Sequence, residues 1–250
     1  MRILVCIKQV PDTTEVRLNA DFTLERDFIA QVMNPADESA LELGLKLRDE
    51  HGGTVTVLTM GPKRAEGTLR EALSRGADEA VQLTDAAFAG SDTLATAKAL
   101  RATVQALGGF DLLLCGRRAV DGETGQVGPM LASLMDIGCV ANATDVRVAG
   151  DTAEADQLTE DGVQVWQGKL PLLVTLCEWS HRLRLPTLMG LRNAAHAEIK
   201  LLKPADLGLQ PEVCGLRGSP TRVLHVSARP TGVRPCRKVE SIDELMEVLL

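Results

Sequence analysis

The sequence predicts an α/β fold in which a doubly wound parallel sheet lies between helices, with antiparallel additions and a C-terminal arm. Through the first two thirds of the chain, short apolar runs alternate with longer segments of helical periodicity. This alternation is typical of repeated strand–helix units. The first run, ILVCI at residues 3–7, is continuously apolar, as expected of a strand that is buried on both faces.

The first helix has boundary signals at both ends. Before it, the polar residues 13–28 predict a small hairpin. Asn34 is the predicted N-cap, and Pro35 suits the first helical position. The helix is expected to end near Gly52 and Gly53.

The following elements repeat the same order. The sequence predicts a strand at 54–61, a helix at 62–75, a strand at 79–83, a helix at 91–107 capped by Ser91 or Asp92, a strand at 111–116 and a helix from about 125 to 135.

The pattern changes after Asp136. The segments ATDVRVAG, GVQVWQG and LPLLVTLCE predict strands joined by turns, which we interpret as antiparallel additions. We predict a nucleotide-binding α/β domain at residues 1–200 and an extended arm at 201–250. The arm contains a basic run at 216–239 and ends in a short amphipathic helix, SIDELMEVLL. That run is either a solvated arm or a contact for an acidic partner surface, and the helix is expected to lie on this chain or on a partner.

Composition excludes several classes of function. Aromatic residues make up 2% of the 250 residues and the net charge is -7, so we expect no nucleic-acid partner. No apolar run approaches the ~18 residues of a membrane span, so we expect no direct membrane insertion. The N-terminus does not resemble a signal peptide, and the six cysteines form no CxxC pair. These features predict a cytoplasmic protein with reduced thiols and no metal site.

The loop RRAVDGETGQVGP at residues 117–129 is the strongest candidate for a binding site. It leaves a predicted parallel strand and leads into a helix N-terminus, where backbone N–H groups suit a phosphate. Gly122, Gly125 and Gly128 are spaced by three residues and allow close approach of a ligand. Asp121 and Glu123 would repel a phosphate, so we expect them to face ribose, backbone donors or the two arginines. A plain structural turn is the alternative interpretation.

Two other strand ends and the first helix start are expected at the same edge of the sheet. They place Cys6 to Val10, Met60 to Pro62 and residues 34–37 near the loop, although each segment is also compatible with an ordinary turn or cap. No Ser-His-Asp set, Cys-His pair or isolated carboxylate pair is evident in the sequence. The sequence therefore predicts ligand binding without catalytic residues.

The chain resembles the beta-subunit family of electron-transfer flavoproteins. The resemblance rests on ILVCIKQVPD, MNPADESALELGLKL, VLTMGP with ALSRGADEAVQL, DLLLCGRRAVDGETGQVGP, LPLLVTL, RLPTLMGLRNA and LLKPADLGL, in this order. It implies a Rossmann-like three-layer sandwich that binds an adenine nucleotide, and an obligate heterodimer with an alpha subunit on which the arm packs. It also implies that FAD is bound mainly by the alpha subunit, while the beta subunit holds AMP in a structural role.

Carried over by position, the resemblance implies a nucleotide site in this chain. The implied residues are Cys6, Asn34, Pro35, Ala36, Asp37, Met60, Asp121, Gly122, Glu123, Thr124, Gly125, Gln126, Val127, Gly128, Pro129, Met130, Leu131 and Ala132. The form DGETGQVGP resembles the branch that includes electron-bifurcating and nitrogen-fixation-associated members. In bifurcating members a second FAD replaces AMP and accepts hydride from NADH, and the glycine spacing does not separate these two nucleotides.

The segment CEWSHRLRLP at 177–186 matches the partner-recognition loop of the family by position. Members that serve acyl-CoA dehydrogenases carry an anchoring leucine near Ser180, which this chain lacks, while Arg184 is retained. Trp179 is a candidate substitute anchor, with packing as the alternative interpretation. The departure favours a different or specialised donor dehydrogenase.

Three functions remain open from the sequence. The first is an electron-carrier subunit with AMP that passes electrons from a donor dehydrogenase toward a quinone reductase or another acceptor. The second is a bifurcating subunit that holds FAD and oxidises NADH. The third is a nucleotide-sensing module like the small stress-protein domains of similar fold, which lack the long arm and the recognition segment.

Overall fold

The computed structural model describes residues 1–12, 30–224 and 238–249, so the hairpin predicted at 13–28 lies outside the described residues. The described strands are β1 Arg2–Cys6, β2 Gln9–Pro11, β3 Gln31–Met33, β4 Thr54–Met60, β5 Glu79–Leu83, β6 Leu112–Gly116, β7 Gly138–Ala149, β8 Thr152–Thr159, β9 Gly162–Lys169, β10 Leu172–Leu176 and β11 Ile199–Leu202. The described α-helices are α1 Pro35–His51, α2 Glu66–Ser74, α3 Thr93–Ala106, α4 Val127–Met135, α5 Leu188–His196, α6 Gly215–Gly218 and α7 Ile242–Leu249. Among these helices none is both long and apolar enough to cross a bilayer.

The main sheet has the strand order β11-β5-β4-β1-β6-β10-β7-β8-β9 in the described part of the chain. The strands from β11 to β7 pair in parallel, and β8 and β9 add an antiparallel edge. After β1 the chain builds β4 and β5 on one side and then crosses to β6 on the other side. The predicted doubly wound α/β fold is therefore confirmed, and its topological switch point lies between β1 and β6.

Two apolar layers form the core on opposite faces of the sheet. Ile3 and Val5 pack with α1 and α2 on one face, and Leu4 packs with α3 and α4 on the other. All three side chains are fully buried. Because both faces are covered, β1 needs apolar residues at successive positions, and this requirement explains its continuous apolar run.

The segment LPLLVTL differs from its predicted antiparallel pairing. As β10 it pairs in parallel with both β6 and β7, and all five of its residues are buried. Its unbroken apolar run has the same cause as that of β1, namely burial on both faces. Strand β8 was not predicted, because its buried face consists of the small residues Ala153 and Ala155, which give a weak alternation.

The C-terminal third contains further elements beyond the prediction. Helix α5 packs beside α2, and β11 pairs with β5. The predicted domain boundary at residue 200 falls inside β11, and the division into a domain and an arm stays a prediction. The terminal amphipathic helix is present as α7, with Ile242 exposed.

Candidate functional site

A cavity of about 1110 Å³ opens at the carboxyl edge of the parallel strands, beside the switch point. Its wall is formed by the ends of β1, β4 and β6, by the loop between β6 and α4, and by the segment between β5 and α3. In doubly wound sheets this edge is where ligands bind. The fold therefore places the cavity where the sequence predicts a site.

Two thiols lie side by side at the bottom of this edge. Cys6 and Cys115 occupy paired positions on β1 and β6, and both line the cavity. Burial, with a smaller contribution from the charge of Asp37, raises the pKa of the Cys6 thiol to about 12. Burial also raises the pKa of Cys115. Both thiols stay protonated at neutral pH, which makes them poor nucleophiles.

Asp37 joins three elements below the cavity. Its side chain, in the first turn of α1, accepts hydrogen bonds from the N–H of Lys8 at 2.7 Å and from the N–H of Gly116 at 2.9 Å. Burial raises the pKa of this carboxyl from 3.8 to about 7, although these two hydrogen bonds act in the opposite direction. The carboxyl fixes the ends of β1 and β6 against α1, and these ends shape the cavity.

Replacing Asp37 by asparagine is expected to change the pH dependence of stability. The native state binds the Asp37 proton more tightly than the unfolded chain, so this group stabilises the protein below about pH 4. That contribution is lost as the pH rises through about 7. Denaturant unfolding from pH 4 to 8 should show wild type losing stability relative to Asp37→Asn until about pH 7, with no further change above it. A constant difference across this range would contradict the raised pKa.

Asn34 occupies the N-cap position of α1, but its side chain makes no capping hydrogen bond. Its Nδ2 donates to the carbonyl of Arg118 at 2.9 Å, and its Oδ1 accepts from the N–H of Val120 at 3.1 Å. The predicted N-cap position is therefore confirmed, but the side chain does not cap the helix. The buried amide instead satisfies backbone groups of the cavity loop, which need partners where water is excluded.

The three glycines of the loop have different roles. Gly125 adopts φ 63°, in the left-handed region that favours glycine. A Cβ on Gly128 would lie 2.5 Å from Thr175 Cγ2 and 3.0 Å from Cys115 Sγ, so this glycine allows α4 to pack on the sheet. A Cβ on Gly122 would meet nothing within 4 Å. The even spacing therefore has no single cause.

The acidic residues of the loop pair with nearby cations. Asp121 binds Lys8 Nζ at 2.6 Å, and Glu123 lies 3.8 Å from Arg118. The predicted proximity of Glu123 to the arginines is confirmed, whereas Asp121 pairs with a lysine from another strand end. Both pairings offset negative charge beside the loop, which favours an anionic ligand there.

Backbone donors are available at the same place. Within the described ranges, the N–H groups of Thr124, Gly125 and Gln126 donate to no protein acceptor. The first N–H groups of α4, beginning at Val127, have no partner within the helix. Such a cluster of N–H groups suits a phosphate, which carries negative charge and several acceptor oxygens.

The far wall comes from a part of the chain that sequence reasoning did not connect with the site. Asp92 caps α3 by accepting from the N–H of Ala95, and it also accepts from the N–H and Oγ1 of Thr221 at 3.1 and 2.8 Å. Ser219 Oγ accepts from the N–H of Asp92 at 2.8 Å. These bonds hold residues 219–224 against the cavity, which Thr221 and Val223 help to line.

The structure brings about half of the predicted nucleotide residues together at the cavity. Those that line it are Cys6, Asp37, Met60, Gly122, Glu123, Thr124, Gly125, Gln126, Val127 and Gly128. Asn34 does not line the cavity but binds the backbone of its loop at Arg118. Asp121 pairs with the lining residue Lys8. The remaining ones are Pro35 and Ala36 in α1, and Pro129, Met130, Leu131 and Ala132 in α4, of which Leu131 and Ala132 are buried in the core.

Several lining residues were missed. Among them are Lys63, Arg64, Thr84, Asp85, Ser91, Thr93, Thr221 and Val223. Lys8, Arg117 and Arg118 also line the cavity, and they lie in segments that the sequence places at this edge. Thr84 and Asp85 follow β5, and the rule that parallel strands end at one edge would have included them. No local feature of the sequence indicates that Thr221 belongs to the site, because its contact with Asp92 spans 129 positions of sequence.

The three predicted partner-recognition residues lie in the segment after β10, where one is exposed and two are hydrogen-bonded within the chain. Trp179 is 81% exposed. Ser180 Oγ donates to the carbonyl of Cys177 at 3.0 Å. The Arg184 guanidinium binds Glu42, with Nη2 to Oε1 at 3.0 Å, and also binds Asp49. Trp179 therefore does not pack closely against the described residues, and Arg184 has a structural role whatever else it binds.

Comparison with known proteins gives a consistent result. Residues 21–207 match the Electron transfer flavoprotein domain family. The electron transfer flavoprotein subunit beta of Thermoanaerobacterium thermosaccharolyticum is 45% identical, over 92% of this chain and 89% of its own. Protein FixA of Azorhizobium caulinodans is 45% identical, over 91% and 84% respectively. The caffeyl-CoA reductase-Etf complex subunit CarD of Acetobacterium woodii is 41% identical, over 92% and 88%.

Proposed function

Because the chain belongs to the electron transfer flavoprotein family, as a beta-subunit member, we propose that it is the electron-carrier subunit of a heterodimer with an alpha subunit. In this proposal the complex passes electrons from a donor dehydrogenase to a quinone reductase or another acceptor. FAD is bound mainly by the alpha subunit and supplies the redox chemistry. This chain holds AMP in a structural role, and the complex acts in the cytoplasm.

The observation that supports the nucleotide proposal is the group of hydrogen-bond donors and cations at the cavity. Three features line one opening: the N–H groups of residues 124–126, which have no acceptor among the described residues, the N-terminus of α4, and the cations Lys8, Arg117 and Arg118. This combination fits a phosphate group. In the proposal, the loop from Asp121 to Gly128 holds the phosphate, while Cys6, Met60 and the start of α1 support the rest of the nucleotide.

A second candidate is a bifurcating subunit with FAD in this chain. The observation that favours it is the size of the cavity, about 1110 Å³. Pockets for drug-sized ligands hold roughly 300–1,000 Å³, so this one has room for a ligand larger than a mononucleotide. FAD contains all of AMP and would place its phosphates at the same loop.

Counting cofactors is expected to separate the two candidates. The chain is purified with its alpha subunit, the complex is denatured with acid, and released FAD and AMP are quantified per heterodimer. The carrier proposal predicts one FAD and one AMP. Two FAD and no AMP would replace it by the bifurcating function. A stable, nucleotide-free monomer that forms no complex would remove both.

Replacing Gly125 by valine is expected to weaken nucleotide retention about tenfold or more. A β-branched residue at φ 63° is strained by roughly 1–3 kcal/mol, and relief of that strain would move the N–H groups of the loop. Isothermal titration with AMP measures the effect. Gly150→Val is the control, because Gly150 has a similar φ of 61° but lies between β7 and β8, outside the cavity lining. Equal affinities in Gly125→Val and wild type would show that this glycine does not shape the phosphate site.

The recognition segment extends the proposal to the donor dehydrogenase. Trp179, Leu185 and Leu188 expose apolar side chains in the segment that also contains Ser180 and Arg184, and these side chains form the candidate contact surface. Large exposed apolar side chains are typical of protein contact sites. We assign the dehydrogenase contact to this surface, with Trp179 as its anchor, and the contact with the alpha subunit to the arm.

A further inference from the structure

Glu178 connects the cavity loop with the exposed recognition segment. Its Oε2 accepts from Arg117 Nε at 2.6 Å, and its Oε1 accepts from Arg118 Nε at 3.1 Å. Both arginines line the cavity, and Glu178 directly precedes the exposed Trp179. The side chain of Glu178 is only 13% exposed, so one shielded carboxylate holds two cations of the site.

The bridge leaves the arginines able to bind an anion. Two guanidinium groups share one shielded carboxylate, so the trio has a net charge of +1 beside the cavity. Glu123, the other acidic neighbour of Arg118, is 61% exposed and 3.8 Å away, which makes it a weak competitor. Each bond to Glu178 uses an Nε, and the planar guanidinium keeps its Nη donors for a phosphate.

The backbone next to the bridge is strained. Trp179 adopts φ 65°, a conformation that bulky residues rarely adopt and that persists only where the surroundings enforce it. The turn is fixed on one side by the hydrogen bond from Ser180 Oγ to the carbonyl of Cys177. On the other side it is fixed by Glu178. The bridge to the arginines is therefore adjacent to the strained residue that presents Trp179.

We propose that Glu178 is a positioning residue for both surfaces: it orients Arg117 and Arg118 toward a nucleotide phosphate, and through the same bridge an occupied cavity holds the backbone around Trp179 in place. The inference rests on the proposed nucleotide binding. A phosphate bound by the arginines restricts their motion and so favours the bridged arrangement of Glu178. The ligand affects the segment because it binds this arrangement better than one in which the arginines are loose.

The test uses the full chain with Trp166→Phe, which leaves Trp179 as its single tryptophan. AMP is titrated while Trp179 fluorescence anisotropy and hydrogen exchange at 117–120 and 177–181 are measured. We expect AMP to raise the anisotropy and to slow exchange in both segments. In Glu178→Gln, AMP affinity should fall about tenfold. At saturating AMP, protection at 177–181 should be lost in this variant while that at 117–120 remains.

The controls separate the possible failures. Glu160→Gln, at an exposed turn, should behave as wild type, and Glu178→Asp should restore part of the response because it keeps the charge. AMP binding to wild type without any change at 177–181 would overturn this inference and leave the proposed function intact. A response that survives in Glu178→Gln would overturn it as well. If wild type binds no AMP, the nucleotide proposal fails first and this inference fails with it.

Discussion

Replacing Gly116 by alanine is expected to lower the free energy of unfolding by about 3 kcal/mol. A Cβ at this position would overlap Asp37 Oδ1 and would lie 2.7 Å from Ala36 Cβ and 2.9 Å from the Ala36 carbonyl carbon. These atoms belong to the first turn of α1, which cannot yield as a flexible side chain can. The new methyl group would push α1 away from β6 and weaken the hydrogen bond from the Gly116 N–H to Asp37.

Denaturant unfolding followed by circular dichroism measures this effect. Gly122→Ala is the matched control, because Gly122 lines the same cavity but has open space around its Cα. We expect the control to differ from wild type by less than about 0.5 kcal/mol. If the two variants were equally stable, the close approach of α1 and β6 would not be a determinant of stability, and the importance of Asp37 as a junction would be refuted.

The parallel core was predictable because its signals are local. The continuous apolar runs at residues 3–7 and 112–116 predict buried strands. Asp92 caps its helix by accepting a hydrogen bond from the N–H of Ala95, three positions away. Each such signal lies within one turn or one strand. Strand β10 carries the same signal, and its parallel pairing would have followed from applying the same rule to it.

The parts of the site that escaped prediction depend on distant partners. Asn34 has the residue type and position of a cap, yet its side chain serves Arg118 and Val120, more than 80 positions along the chain. Glu178 has no local feature that indicates its two arginines, and Thr221 reaches Asp92 across 129 positions. Polar contacts of this kind are set by tertiary structure, whereas propensity and periodicity describe only neighbours in sequence.

Replacing Arg184 by alanine is expected to destabilise the free chain by about 2 kcal/mol. The guanidinium makes three contacts with Glu42 at 3.0–3.1 Å and one with Asp49 at 2.8 Å. The side chain of Glu42 is only 16% exposed, so little water can reach its carboxylate in place of the guanidinium. Hydrogen bonds to charged groups that are partly shielded are stronger than exposed ion pairs.

Arg182→Ala is the control for this prediction, since Arg182 is an exposed arginine two positions away and should change stability by less than about 0.5 kcal/mol. The double variant with Glu42→Gln should be less destabilised than the sum of the single variants, because both remove the same interaction. These measurements separate the structural role of Arg184 on α1 from its proposed role in binding the donor dehydrogenase. A stability loss in the isolated chain identifies an anchor that holds the recognition segment on α1. Unchanged stability combined with weaker binding to the donor dehydrogenase would instead identify a residue that acts only at the partner surface.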